Sequence, residues 1–137
     1  MTKVLVFGGL GFLGSYLIEE LQKRNYAVII ADIKESNGGN FQYISCDISS
    51  KEEIEAVFQK DQYDIVYNLA GFANLDDAVD NPIKTMELNV LANMYIVEAC
   101  LKYKIQKFVY ASSAYAMSNK GSYYGISKLA SEKIIEE

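Results

Sequence analysis

Short apolar segments and amphipathic segments alternate along this chain, and the alternation constrains its fold more than any other feature. Five segments are short, apolar and rich in β-branched or aromatic residues, which is typical of strands buried on both faces. These predicted strands are Lys3–Phe7, Tyr26–Asp32, Phe41–Cys46, Asp64–Leu69 and Lys107–Ala111. Other segments have apolar residues at helical spacing. The predicted helices are Phe12–Arg24, one that starts near Ser49 or Ser50, Pro82–Tyr103 and Tyr123–Glu137.

Strands that are buried on both faces and joined through helices predict a parallel sheet with helices on each side. Right-handed crossovers leave few topologies, and the doubly wound, Rossmann-type sheet is the leading one. We therefore predict an α/β fold with five parallel strands in the order 3-2-1-4-5. The 137 residues contain no internal repeat or linker, so we expect one domain, 1–137. Because the chain stops inside an amphipathic helix, we expect this domain to be the N-terminal part of a longer protein.

The residue types that are missing limit the chemistry of the chain. Without histidine it cannot form a Ser-His-Asp or Cys-His catalytic system or a histidine-ligated metal site. Cys46 and Cys100 lack metal-ligand spacing, and the acidic groups at 52–55 and 76–80 have no accompanying ligands. We therefore predict no metal site. We place 52–55 in the first turn of a helix and 76–80 in a solvated loop before Pro82.

Charge and hydropathy limit the partners and the location. The net charge is −5 and Arg24 is the single arginine, which argues against DNA or RNA as a partner. No apolar run is long enough to cross a bilayer, so no membrane partner is expected. We interpret Cys46 and Cys100 as buried free thiols of a reducing compartment, which predicts a cytoplasmic protein. A disulfide between them is the alternative.

A glycine-rich turn directly follows the first predicted strand and opens the first predicted helix. Its sequence is Gly8-Gly9-Leu10-Gly11-Phe12-Leu13-Gly14. A turn with few side chains lets a pyrophosphate touch the backbone, and the helix N-terminus offers free amides and a partial positive charge. The strand–turn–helix context is the one that a dinucleotide fingerprint requires, and the absence of a Gly-Lys-Ser/Thr sequence excludes a P-loop. The alternative is a glycine turn without a ligand.

Asp32 ends the second predicted strand, at the usual distance downstream of the glycines. Its carboxylate can accept hydrogen bonds from both ribose hydroxyls of an adenosine and would repel a 2′-phosphate. This favours NAD over NADP, although Lys34 could offset part of the repulsion. The alternative for Asp32 is an exposed loop acid.

Tyr124 and Lys128 are four residues apart on a predicted helix and therefore share a face. A nearby ammonium favours the phenolate form of a tyrosine, which suits a proton shuttle. Ser112 and Ser113 follow the fifth strand, and ligands of such sheets bind at the carboxyl ends of the strands. A serine there could hold the oxygen that Tyr124 protonates. The alternative is a chance surface pair.

Further short motifs stand between these features in one order. They are Cys46-Asp47-Ile48, Asn68-Leu69-Ala70-Gly71, Asn89 and Ala111-Ser112-Ser113-Ala114. With the glycine turn, Asp32 and Tyr124-x-x-x-Lys128, they resemble the extended branch of the short-chain dehydrogenase/reductase superfamily, its NAD-dependent sugar epimerases and dehydratases. The resemblance covers the whole chain.

The resemblance implies that Ser113, Tyr124 and Lys128 are catalytic and that Lys128 also binds the nicotinamide ribose. Asp47 and Ile48 would border the adenine, and Asn89 would support the active-site end from the long helix. Without the resemblance, Asp47 would be a helix-start acid and Asn89 a helix-surface amide. The implied NAD-binding residues are Gly8, Gly11, Phe12, Leu13, Gly14, Asp32, Asp47, Ile48, Leu69, Ala70, Gly71, Asn89, Tyr124 and Lys128.

The chain departs from the pattern after Ser113. Ala116-Met117-Ser118 stands where Val-Tyr-Gly is common, and Ala114-Tyr115 stands where dehydratases carry Asp-Glu. Tyr124 follows Ser113 by only eleven positions, so the usual loop is shortened. The C-terminal substrate domain of the family is absent from these residues. Since that loop and that domain build the sugar pocket, the identity of the sugar stays open.

The resemblance implies an NAD-dependent nucleotide-sugar 4-epimerase that acts through transient hydride transfer. The alternatives are an NAD(P)-dependent reductase or dehydrogenase, a sugar dehydratase, and a non-catalytic NAD-binding fragment. The expected partners are a nucleotide sugar and a second copy, which would form a homodimer through helices 82–103 and 123–137. Because the substrate domain is absent, we expect the 137-residue chain alone to be inactive or nearly so.

Overall fold

Five parallel strands form one sheet in the computed structural model, which describes residues 1–137. The strands are β1 (Lys3–Phe7), β2 (Ala27–Asp32), β3 (Gln42–Ser45), β4 (Ile65–Asn68) and β5 (Lys107–Tyr110). Their order is β3-β2-β1-β4-β5, and every neighbouring pair is parallel. The predicted Rossmann-type sheet is therefore confirmed, with β2 to β5 each one or two residues shorter than the sequence suggested.

Helices cover both faces of this sheet. They are α1 (Phe12–Lys23), α2 (Lys51–Lys60), α3 (Leu75–Asp80), α4 (Pro82–Met86), α5 (Ala92–Lys102) and α6 (Ser122–Glu136). A π-helical segment, Glu87–Leu91, joins α4 to α5, and a 3-10 helix, Ala114–Met117, precedes α6. None of these helices combines the length and the apolar character needed to cross a lipid bilayer.

The central strand β1 explains why the apolar runs have no polar face. Val4 and Val6 point into a cluster covered by α1, whereas Leu5 and Phe7 point into a larger cluster covered by α2 and α5. All four side chains are completely buried. A strand with helices on both faces needs apolar residues at successive positions, as the sequence indicated.

The acidic stretch at 76–80 is a helix, and the prediction of a solvated loop was wrong. Asn74 caps α3 by accepting a hydrogen bond from the amide of Asp77 at 3.0 Å. Asp76 and Asp77 occupy the first turn, where carboxylates interact favourably with the helix dipole. Ala78 is completely buried on the inner face. Asn74 followed by two acids is a helix-start pattern that the sequence contains. The acidic residues and the following Pro82 are also common in loops, which explains the wrong prediction.

The long helix predicted over 82–103 is helical from Pro82 to Lys102, but its hydrogen-bond pattern changes along its length. Its middle, Glu87–Leu91, has π-helical geometry. Such an insertion adds a residue to a turn, and it occurs frequently at functional sites. The buried residue of this segment is Asn89, which contacts the site described below.

Candidate functional site

A cleft of about 380 Å³ opens at the carboxyl ends of the central strands. Eight predicted site residues line it: Gly8, Gly11, Phe12, Asp32, Asp47, Ile48, Ala70 and Gly71. The lining also includes Lys34, which the sequence placed near Asp32, and Ile33, Cys46 and Leu88, for which the sequence predicted no site role. The other six predicted NAD-binding residues are outside the lining: Leu13, Gly14, Leu69, Asn89, Tyr124 and Lys128, the last two on α6. The carboxyl ends of the strands, where this cleft opens, are the place at which ligands of doubly wound folds bind.

The glycine turn brings bare backbone to the floor of this cleft. Gly8 has a φ of 76°, and a Cβ there would lie 2.6 Å from the amide nitrogen of Ala70. A Cβ on Gly14 would lie 2.5 Å from the carbonyl oxygen of Gly9. Helix α1 starts at Phe12 without a side-chain cap and without an acid in its first turn. Its first amide groups therefore remain available to an anion.

Asp32 connects the glycine turn to the segment that follows β2. One carboxylate oxygen accepts a hydrogen bond from the amide of Leu10, and the other accepts one from the amide of Lys34, both at 2.9 Å. The residue is only 7% exposed, which excludes the alternative of an exposed loop acid. Each carboxylate oxygen keeps further acceptor capacity for a ligand in the cleft.

Asp47 lines the same cleft, in the segment that follows β3. Ser49 donates two hydrogen bonds to one of its carboxylate oxygens, from the amide at 2.9 Å and from the hydroxyl at 2.7 Å. The amide of Asp47 donates to Glu53 at 2.7 Å. These contacts hold the carboxylate in place and leave its second oxygen without a protein partner among the hydrogen bonds observed.

Lys128 is buried at the end of β5, with 7% of the residue exposed. Its Nζ donates to the carbonyl oxygen of Ala111 at 3.0 Å. The same atom lies 4.9 Å from the ring centroid of Tyr110 and 5.8 Å from that of Tyr124. Burial lowers the pKa of Lys128 to about 8, so the group is largely an ammonium at neutral pH.

Ser113 belongs to the same cluster through Tyr115. The hydroxyl oxygen of Ser113 accepts a hydrogen bond from the amide of Tyr115 at 3.2 Å and caps the 3-10 helix. The ring of Tyr115 packs edge to face against the ring of Tyr124, with centroids 6.3 Å apart. The fold thus brings Ser113, Tyr124 and Lys128 to the carboxyl end of β5.

Asn89 links the wall of the cleft to α6. Its side-chain oxygen accepts from the amide of Phe72 at 2.7 Å, and its side-chain nitrogen donates to the carbonyl of Phe72 and to Ser127, each at 3.0 Å. Both amide hydrogens are therefore engaged within the protein, and the residue is 2% exposed. Asn89 is neither a helix-surface amide nor part of the cleft lining; it contacts the residue next to Gly71.

Three polar residues around this site carried no predicted role: Ser127, Ser131 and Glu132. Ser127 and Ser131 are completely buried on α6, where Ser131 donates to the carbonyl of Asn89. Ser112 donates to Glu132, one turn after Lys128. The sequence contained a signal for these three residues on α6. Each of them is three or four positions after Tyr124 or Lys128, so it shares a helix face with the predicted catalytic pair.

Comparison with known proteins shows the family of this chain. The model of the NAD dependent epimerase/dehydratase family matches residues 4–137. The chain belongs to this family. The predicted resemblance to extended short-chain dehydrogenases/reductases is thereby confirmed.

Curated relatives in this family include enzymes of two kinds. The chain is 34% identical to the dTDP-D-glucose 4,6-dehydratase of Dictyostelium discoideum, over 82% of this chain and 29% of that protein. It is 27% identical to the UDP-glucose 4-epimerase of Neisseria meningitidis serogroup C, over 100% of this chain and 48% of the epimerase. The chain spans half or less of the length of these relatives. The epimerase alignment runs over 163 residues, so the epimerase has residues within the matched region that this chain lacks.

Solved structures agree with the fold. The UDP-glucose 4-epimerase of Thermus thermophilus, in complex with NAD, matches with a TM-score of 0.90 and 29% identity over 98% of this chain and 50% of that chain. The UDP-glucose 4-epimerase of Thermotoga maritima, with UDP-glucose, matches with a TM-score of 0.88 and 27% identity over the same shares. Both likenesses extend across the sheet and α6.

Proposed function

We propose that this chain binds NAD in the cleft and supplies the proton-transfer residues of a nucleotide-sugar 4-epimerase. The observation that carries the proposal is the position of Asp32. Its carboxylate bridges the glycine turn and the segment after β2, at the edge of the sheet to which α6 also brings Tyr124 and Lys128. The cleft therefore has an anion-binding floor and a buried acid, and the phenol–ammonium pair lies outside its lining, at the same edge of the sheet beside the end of β5.

The residues present fit the cofactor. The amides of Gly11, Phe12 and the following turn would bind the diphosphate, because neither Gly8 nor Gly14 has room for a side chain that would screen them. Asp32 would accept the hydroxyls of the adenosine ribose, and the free oxygen of Asp47 would face the adenine amino group. The remaining walls would come from Leu13, Ile48, Leu69, Ala70 and Gly71. This donor set contains no partner for a 2′-phosphate except the exposed Lys34, which supports NAD over NADP.

The chemistry of the site would be proton transfer coupled to hydride transfer. NAD, when bound, would accept hydride from a sugar carbon and return it to the opposite face. Tyr124, as phenolate, would take the proton from the hydroxyl of that carbon, while Ser113 would hold the oxygen. Lys128 would stabilise the phenolate with its charge and would bind the nicotinamide ribose. Asn89 would keep the 71–72 segment and α6 in register, since it is bonded to both.

Two other enzyme classes of the superfamily share this machinery. A reductase or dehydrogenase would release its cofactor in each cycle, so NAD that stays bound through purification supports the epimerase. A dehydratase needs an acid and a base next to the catalytic hydroxyl, and the residues after Ser113 are Ala114 and Tyr115. This sequence disfavours a dehydratase, despite the 34% identity to one.

Titration calorimetry tests cofactor binding. We expect the chain to bind NAD more tightly than NADP, and Asp32→Asn to weaken NAD binding by roughly 10- to 100-fold because a charged acceptor is lost. Asp61→Asn is the matched control, since Asp61 pairs with Lys3 far from the cleft. The absence of heat with NAD on folded protein would refute the proposal.

A second experiment separates binding from chemistry. We expect Tyr124→Phe to keep the affinity for NAD and to abolish the residual hydride transfer from UDP-glucose that the chain supports without a substrate domain, followed by the absorbance of the reduced nicotinamide. Tyr123→Phe, one position earlier, should change neither. A wild-type chain that binds NAD without any transfer would instead be a non-catalytic binding module. Repeated turnover by the 137-residue chain would show that no further domain is needed.

We also propose that the chain self-associates through α5 and α6. Both helices leave large apolar side chains exposed, and the π-helical segment before α5 adds one more; among them are Leu91, Met94, Leu101, Ile126 and Leu129. Apolar exposure on this scale is typical of an interaction surface. Light scattering that gives a monomer at all concentrations would exclude a homodimer.

The two buried free thiols support a reducing, cytoplasmic location.

A further inference from the structure

Tyr115 contacts both Ser113 and Tyr124, two of the residues proposed to act on the substrate. Only ten residues lie between Ser113 and Tyr124, and the 3-10 helix Ala114–Met117 occupies the start of this connection. The amide of Tyr115 donates to the hydroxyl oxygen of Ser113, and the ring of Tyr115 lies against the ring of Tyr124 at an interplanar angle of 76°. A single residue therefore connects the serine to the phenol.

The main chain of Tyr115 is held against the first turn of α6. A Cβ on Gly125 would lie 2.6 Å from the carbonyl oxygen of Tyr115, and a Cβ on Gly121 would lie 2.7 Å from the Cβ of Tyr115. Both glycines flank Tyr124 in the sequence. Because these close approaches require glycine, the position of Tyr115 relative to Tyr124 is set by backbone contact and not by the ring alone.

The two contacts of Tyr115 have different consequences. Since the oxygen of Ser113 already accepts a hydrogen bond from the Tyr115 amide, its hydroxyl hydrogen is left to donate to another oxygen. The edge-to-face packing restricts the ring of Tyr124, because an aromatic pair in this arrangement is favoured over alternatives without the contact. Tyr115 remains 40% exposed, so core burial alone does not explain its placement.

We propose that Tyr115 is a positioning residue that holds the Ser113 hydroxyl and the Tyr124 phenol in one fixed arrangement. This inference rests on the proposed function, in which Ser113 holds the oxygen whose proton Tyr124 takes. It predicts that removing the ring of Tyr115 changes the orientation of the Tyr124 ring, whereas removing only the hydroxyl of Tyr115 does not.

The test places 3-fluorotyrosine at position 124 of the full chain and records its fluorine resonance. Loss of the aromatic pair should raise the population of other Tyr124 rotamers by roughly 2- to 10-fold, so Tyr115→Ala should shift and broaden the resonance. Tyr115→Phe keeps the ring and the amide, and it should restore the wild-type spectrum. Tyr16→Ala is the control, because it removes an edge-to-face pair with Phe12 on α1, away from α6.

Tyr115→Leu provides the same test if the alanine variant does not fold, because it keeps apolar volume without a ring. Both ring-deleting variants should keep the wild-type affinity for NAD, and any residual hydride transfer from UDP-glucose that the wild-type chain supports should fall when the ring is removed. An unchanged fluorine spectrum in either folded variant would overturn the inference, and so would a Tyr115→Phe variant that behaves like the ring deletions. Failure of the wild-type chain to bind NAD would refute the proposed function instead, while the spectra would still report on Tyr115.

Discussion

Replacing Lys128 with methionine tests the electrostatic state of the site directly. Burial lowers the pKa of this lysine from its ordinary value of 10.5 to about 8. Between these two values the unfolded chain binds a proton that the folded chain has released, so the free energy of unfolding of the wild type rises with pH. Methionine has a similar length but no titrating group. The difference in stability between the wild type and Lys128→Met should therefore depend on pH in this window.

The magnitude follows from the two pKa values. Linkage gives about 1.4 kcal/mol per pH unit well inside the window, and about 2 kcal/mol in total between roughly pH 7 and pH 9.5. Below about pH 8 both states are protonated, and the cost of burying the charge is fully present. As pH rises, Lys128 of the folded protein loses its proton and this cost disappears. The free energy of unfolding of the wild type therefore rises relative to that of Lys128→Met. The hydrogen bond to Ala111 persists throughout, because a neutral amine can still donate.

Urea unfolding at half-unit intervals across this pH range measures the difference. Other buried groups, such as Tyr63, whose pKa burial raises to about 12, are present in both proteins and cancel in the comparison. Lys120→Met is the matched control, because it makes the same substitution at an exposed lysine and removes no buried charge. A difference for Lys128→Met that does not change with pH, or one that falls with pH, would refute the argument that burial lowers the pKa of Lys128.

Three further predictions concern the scaffold of the site. Gly8→Ala should destabilise the protein by about 2 kcal/mol or more, since the φ of Gly8 is positive and a Cβ there meets backbone. Gly38→Ala is the control, because Gly38 lies in open space at φ 96°, and it should lower the stability by only about 1 kcal/mol. Equal urea midpoints for the two variants would contradict this prediction. Burial raises the pKa of Cys46 and Cys100 to about 12, so neither should react with a disulfide reagent at mildly alkaline pH until urea unfolds the chain. Ser50→Ala removes the cap of α2 and should lower stability by about 1 kcal/mol, and an unchanged melting temperature would exclude that role.

The elements and motifs that depend on neighbouring residues could be predicted from the sequence. The buried strands and their order followed from apolar runs that alternate with helical patterns, because the period of the side chains differs between the two structures. The glycine turn and Asp32 could be connected because both stand at strand ends, which meet at one edge of a parallel sheet. Ser50 was predicted at a helix start, and it caps α2.

What depends on contacts between distant residues was decided only by the tertiary structure. The π-helical geometry around Asn89 accompanies hydrogen bonds to Phe72 and Ser127, which are 17 and 38 residues away. Tyr115 fits against α6 only because Gly125 leaves space for its carbonyl. No local period or cap reports such contacts, since each partner has an ordinary polar or aromatic residue type. Neighbouring residues alone specify strands, helices and a backbone turn, but only packing selects which buried polar groups meet and how the proposed catalytic side chains are aimed.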